Sequence, residues 1–240
     1  MVSLSRNINH SFILAALLLA PLISACDLNT GYQAKDGTYV YATLDEGRGY
    51  LEHPIAHIHP SSFRILNQHG YAKDNQRVYY HENTVQDADP KSFTALSELY
   101  GKDTVRVYYT GKVIPGAEPA SFALFDIQWG KDSQDVYFQT RPIKACDTAS
   151  FTLLRDGWQR DKECIYTKGS KLPGADPATF TVLNSWFAKD ANTVYSKVAG
   201  AIAGADAATF QLRAGNCDVC AQDKTGCYRY EKQVDCSSLN

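Results

Sequence analysis

Two groups of residues in this 240-residue sequence have the side chains to do chemistry. The first is Glu52-His53-Pro54-Ile55-Ala56-His57-Ile58-His59-Pro60. If 57–59 is extended, His57 and His59 share a face, because strand side chains alternate. With His53 nearby, such imidazoles suit zinc, copper or nickel. The competing reading is an exposed loop between prolines. The second group is Cys217-Asp218-Val219-Cys220. A redox C-x-x-C needs its thiolate at a helix start in an α/β setting, and no strand–helix alternation surrounds this one. A zinc site would recruit Cys227 and Cys236, whose spacing is wider than the usual ligand pair. Disulfides are the expectation for all four. Elsewhere there is no G-x-S-x-G, no H-E-x-x-H, no phosphate loop and no dinucleotide fingerprint, so no catalytic residue is assigned and no enzyme is expected.

The seven cysteines divide by position. Residues 1–25 carry Arg6, an apolar run over 12–22 and small residues before a break, which describes a secretory signal. The apolar run is shorter than the roughly 20 residues a spanning helix needs. Ile23-Ser24-Ala25-Cys26 resembles a bacterial lipobox. That resemblance implies cleavage before Cys26 and a palmitate-type lipid on its thiol, and two or more acyl chains anchor a protein stably. The expected location is the bacterial cell envelope, facing the periplasm. Inner and outer membrane both stay open, with Asp27 a hint of the inner. The other six, Cys146, Cys164, Cys217, Cys220, Cys227 and Cys236, form an even set in an exported chain and predict disulfides. Cys146 and Cys164 lie in adjacent repeats and can staple them, at roughly 3 kcal/mol by loop-closure entropy. The last four allow three pairings.

What must position these residues is a repeat. An aromatic followed three residues later by Asp recurs at Tyr71–Asp74, Tyr100–Asp103, Trp129–Asp132, Trp158–Asp161 and Phe187–Asp190, each start 29 residues after the last. A β-branched residue and tyrosine follow in each (Val78-Tyr79 to Val194-Tyr195), then Ser or Thr and Phe (Ser92-Phe93 to Thr209-Phe210). A degenerate copy with the histidine insertion precedes these, and another may be read at Asp223 and Cys227-Tyr228. Within a copy, Lys102-Asp103-Thr104 reads as a turn in which Asp bonds its own backbone. Val105, Val107 and Tyr109 alternate, predicting a strand with one apolar face, and Thr110-Gly111-Lys112 reverses the chain again. In Asp176-Pro177-Ala178-Thr179, Asp can cap and Pro suits the first position of a short helical turn. The expected fold is mainly β: tandem 29-residue repeats of a β-hairpin plus one short helical turn, stacked as an elongated array, with a closed toroid as the alternative. The expected organisation is a signal over 1–25, then an anchor, short linker and degenerate first repeat over 26–70. Five repeats over 71–216 and a Cys-rich terminal cap over 217–240 follow.

The pattern resembles the DKNYY family of bacterial repeat proteins. The motif that names the family appears as Asp74-Asn75-Gln76-Arg77-Val78-Tyr79-Tyr80 and Asp103-Thr104-Val105-Arg106-Val107-Tyr108-Tyr109, and the later segment as Gly174 to Phe180. Later copies depart from the double tyrosine, with Tyr137-Phe138, Tyr166-Thr167 and Tyr195-Ser196. The resemblance implies an exported or lipid-anchored repeat protein and brings no catalytic residues with it. Net charge of −2 disfavours nucleic acid as a partner. The expected function is a non-catalytic, lipid-anchored envelope module that binds a protein, in its sharper form an immunity protein against a periplasmic toxin. The alternative is an envelope metal-binding or carrier protein using the histidine loop, with zinc or copper bound.

Overall fold

The computed structural model describes residues 29–213 and 217–239. The expected signal and Cys26 lie outside the described residues. The described chain folds into seven small antiparallel sheets in sequence order. Unit 1 has three strands, Gly31–Lys35, Thr38–Asp45 and Gly49–Pro54. Units 2 to 7 are four-stranded meanders over 64–84, 94–113, 123–142, 152–171, 181–201 and 211–234. The degenerate last copy is therefore a complete sheet. It begins at Gln211–Leu212, before the cysteine-rich segment.

Unit 3 shows how the repeat works. Tyr100–Lys102 and Val107–Tyr109 form the central hairpin, and Thr94–Ala95 and Lys112–Val113 add short outer strands. The second reversal is a two-residue turn closing Tyr109 on Lys112. Thr110 and Gly111 both take positive φ there (48° and 76°), the backbone such tight turns require. The strand is shorter than the alternation of Val105, Val107 and Tyr109 predicts. Val105 lies in the turn and is 64% exposed, while Val107 and Tyr108 are both fully buried. Successive side chains point to opposite faces, so the sheet has two buried faces, not one. The cause is the stacking itself, because each sheet from unit 2 to unit 6 lies between two others.

Six apolar clusters follow from that stacking, each drawn from two consecutive units. Tyr71, Val78, Val85, Phe93 and Tyr108 form the one between units 2 and 3. Tyr100, Val107, Ile114, Phe122 and Tyr137 form the next. In units 2 to 6 the valine of each Val-Tyr pair, or Ile165 in unit 5, thus faces the following unit and the tyrosine the preceding one. The residue after the first aromatic is small where it lies over the phenylalanine: a Cβ on Gly101 would sit 2.3 Å from Phe93 Cζ. The first aromatic also ties units together through its polar head. The Tyr71 hydroxyl donates to the Leu99 carbonyl (3.1 Å), Tyr100 to Gln128 (2.7 Å), and the Trp158 indole N–H to Asn184 (3.2 Å). Among the described residues no cluster joins the first sheet to the last, as the stacked array requires and a toroid would not.

The expected helical turn is a single hydrogen-bonded turn in the full repeats. Thr179 N–H reaches the Asp176 carbonyl (3.3 Å), and Phe180 turns into the core. One 3-10 turn, Pro60–Ser62, forms at this position ahead of unit 2. Chain length limits it: the connector must re-enter an extended strand at Thr181–Val182.

Candidate functional site

The repeated aspartate sits where the two central strands join, at what may be named the Asp-turn end of each sheet. Its carboxylate does more than close its own turn. Asp103 Oδ1 accepts from the Val105 and Arg106 amides (both 2.7 Å). Oδ2 accepts from the Tyr108 hydroxyl (2.8 Å) and from the Asp89 amide in the connector entering the unit (3.1 Å). Four bonds of the same kind surround Asp74, with Gln76, Arg77, Tyr79 and His59 as donors. Asp132, Asp161, Asp190 and Asp223 repeat the arrangement. The sequence showed the backbone turn but not the tyrosine, although the constant five-residue step from Asp to Tyr was its signal. Desolvation pushes the Asp103 carboxyl up, yet the four donors outweigh it and hold the group below the ordinary range. The same balance lowers Asp74, Asp190 and Asp223. Burial and the Asp190 carboxylate push Tyr195 the other way, up to about 12. A carboxylate that accepts four hydrogen bonds has no free position for general-acid or general-base work. These groups are fasteners.

Between consecutive fasteners the surface is concave. One recess of about 340 Å³ is lined by Ser62, Arg64, Lys73, Asp74, Asn75, Pro90 and Lys91. The next, of about 300 Å³, is lined by Ser92, Thr94, Lys102, Asp103, Thr104, Pro119 and Ala120. The two linings correspond position by position. Ser, Lys, Asp and Pro recur, and their polar groups are already used. Lys73 Nζ donates to the Phe93 carbonyl (2.8 Å), Lys102 Nζ to Pro119 (2.7 Å), and Ser62 Oγ accepts from the Asn75 amide (3.2 Å). The positions that change from one recess to the next are the exposed ones: Arg64 to Thr94, Asn75 to Thr104, Lys91 to Ala120. A fixed frame thus carries a variable rim, and the rim of the first recess has two exposed cations.

The histidines are placed separately. His57 has φ +58°, so 57–59 is not extended and the condition for His57 and His59 to share a strand face is not met. The backbone explains the departure. The His57 carbonyl receives Arg77 Nη1 (3.0 Å), and the His59 amide donates to Asp74. His53 lies on the strand Gly49–Pro54 with Nε2 3.0 Å from Thr43 Oγ1. Among the described residues no three His, Cys, Asp or Glu side chains are grouped to hold a metal ion.

The six cysteines pair as Cys146–Cys164, Cys217–Cys220 and Cys227–Cys236. Cys217-Asp218-Val219-Cys220 is a turn leading into the strand Cys220–Asp223, not a helix start. Cys164 occupies the slot held by Arg77 and Arg106 in units 2 and 3. There the guanidinium reaches back to the entering connector, Arg106 Nη1 to the Asp87 carbonyl at 2.8 Å. In unit 5 a covalent bond to Cys146 in the connector makes the same link, and Cys164 joins the apolar cluster between units 4 and 5.

No curated protein matches this chain, and neither does any solved structure. The sequence profile of the DKNYY family matches residues 71–199, which is most of units 2 to 6 and more than half of the chain. With the fasteners falling on the aspartates and tyrosines of that motif, the chain belongs to the DKNYY family.

Proposed function

We propose that this is a non-catalytic, lipid-anchored cell-envelope protein that binds another protein along its Asp-turn end. The observation that carries the reading is the recurrence of one recess in consecutive units, with a fixed frame and a changing exposed rim. Stacked repeats offer extended surfaces of this kind, and position-specific decoration is how such surfaces select partners. The saturated carboxylates favour binding over acid–base catalysis. The lipobox-like Ile23-Ser24-Ala25-Cys26 supports an anchor at Cys26, and the disulfides fit an oxidising periplasm.

The sharper form of the proposal is an immunity role, in which the array blocks a toxin delivered into the periplasm. A gene-deletion strain challenged by toxin-delivering sister cells tests it. The expected result is a sensitive deletion strain whose resistance is restored by the wild-type chain, but not by an Arg64→Glu, Lys91→Glu double variant that accumulates normally. A deletion strain as resistant as its parent overturns the immunity reading. A neighbouring gene for a secreted lipase, muramidase or peptidase supplies the toxin to use.

A further inference from the structure

At the opposite end of the strands, units 5 and 6 depart from the repeat in several ways that meet at one place. The closing hairpin of unit 6 is one residue longer than the two-residue turn of unit 3. Ser196 pairs with Gly200, leaving Lys197, Val198 and Ala199 in the loop. Lys197, at the position of Thr110 in unit 3, reaches back to unit 5, where its Nζ donates to the Asp156 carbonyl and lies 5.8 Å from the Trp158 ring centroid. Gly157 makes room for it. It has φ +72°, and a Cβ there would stand 3.0 Å from Lys197 Nζ. A recess of about 270 Å³ results, lined by Lys168, Ser185, Trp186, Lys197 and Val198.

Its chemistry is two-sided. Neither Lys168 nor Lys197 has a carboxylate within ion-pair distance among the described residues, although Asp156 acts on Lys197 from further away. Burial, with Lys168 adding to it, holds Lys197 below the ordinary lysine range, against the opposing pull of the Asp156 carboxylate. The other wall is apolar. Trp186 is half-buried, with its ring edge-on to Tyr230 at 5.1 Å, and Val198 is 62% exposed. Trp129 and Trp158 are buried in the stack, which leaves Trp186 as the tryptophan within reach of a ligand.

We propose that this recess binds a small organic anion, a carboxylate or phosphate carrying an apolar or aromatic group, with the anion between Lys168 and Lys197 and the apolar part on Trp186 and Val198. Convergent polar groups in a mainly apolar concavity are the usual make-up of a small-ligand site. An anion would also give the two ammonium groups the ion pair that neither makes among the described residues. The site lies away from the Asp-turn recesses and does not depend on the protein-binding reading.

The test is tryptophan fluorescence of the full chain in a non-ionic detergent, titrated separately with phenyl phosphate, benzoate, inorganic phosphate and benzyl alcohol. A saturable change with phenyl phosphate or benzoate, and a weaker response to inorganic phosphate and to benzyl alcohol, is expected. Whichever of the first two binds tighter identifies the anionic group. Lys168→Met with Lys197→Met should weaken binding at least about tenfold, equivalent to ~1.4 kcal/mol, while leaving the urea midpoint in place. Lys197→Arg should retain binding. No saturable change with either aromatic anion, or equal affinity in the double Met variant, overturns the proposal.

Discussion

The two ends of the strands are held by different means. At the Asp-turn end, side chains do the holding: one carboxylate, one tyrosine hydroxyl and three backbone amides recur from unit 2 to unit 7. At the hairpin end the residues vary, yet a backbone bond recurs in five of the six four-stranded units. It runs from His81 to Gly70 (3.1 Å), Thr110 to Leu99 (2.7 Å), Gln139 to Gln128 (2.9 Å), Lys197 to Trp186 (2.9 Å) and Tyr230 to Val219 (2.8 Å). A closure made by backbone leaves the side chains free to differ. Glu82, Glu98 and Asp126 stand at this end in units 2 to 4, and Arg155, Asp156, Lys168 and Lys197 stand there in units 5 and 6. The fold therefore constrains one end and releases the other.

Acid breaks the comparison most strongly, because it acts on several units together. Asp74, Asp103, Asp190 and Asp223 have carboxyls held below the unfolded value of about 3.9. Their contribution is complete above that value and is lost as pH falls through the lower folded value, since the unfolded chain then binds more protons. Urea midpoints measured from neutral pH downward should fall steeply below about pH 4. Next in size is the unit 5 staple. Cys146→Ser with Cys164→Ser should cost roughly 3 kcal/mol in urea unfolding, the loop-closure value for its sequence separation of 18. Tyr108→Phe removes one hydroxyl from a buried carboxylate and should cost about 1–2 kcal/mol by the same measurement. Glu82→Ala, at the hairpin end, should change stability by less than about 0.5 kcal/mol. A large effect there, or none at Tyr108, would erase the distinction between the two ends.

Much of this was legible in the sequence. The repeat, its β character, the Asp turn and the second reversal at Thr110-Gly111 all follow from local spacing and turn chemistry. Local spacing could not show that the inner sheets are buried on both faces. Val107 and Tyr108 are adjacent in the chain but contact different neighbouring units, and only stacking decides that. The staple between Cys146 and Cys164 was readable from the sequence, whereas the last four cysteines allowed three pairings and are decided by where the terminal chain returns. The recess around Lys168, Lys197 and Trp186 escaped for a related reason. It is built at the hairpin end, where side chains vary: Lys168 and Lys197 stand where Thr110 stands in unit 3, Trp186 where Leu99 stands, and Val198 in the longer loop of unit 6. The reading of His57 and His59 as one strand face failed on a single backbone angle, set by the connector's need to present a carbonyl to Arg77.

The central claim is that the aspartate at each turn fastens its unit to the connector arriving from the unit before. Asp103→Asn tests it most directly, because it keeps size and shape while replacing one acceptor oxygen by an amide nitrogen. The two turn amides keep their acceptor, but the Asp89 amide loses its own and faces another donor. The account predicts a loss of about 2–4 kcal/mol in urea unfolding. It also predicts faster hydrogen exchange at the Asp89 amide, with the amides of Val105 and Arg106 still protected. Unchanged stability together with unchanged protection of the Asp89 amide would contradict it.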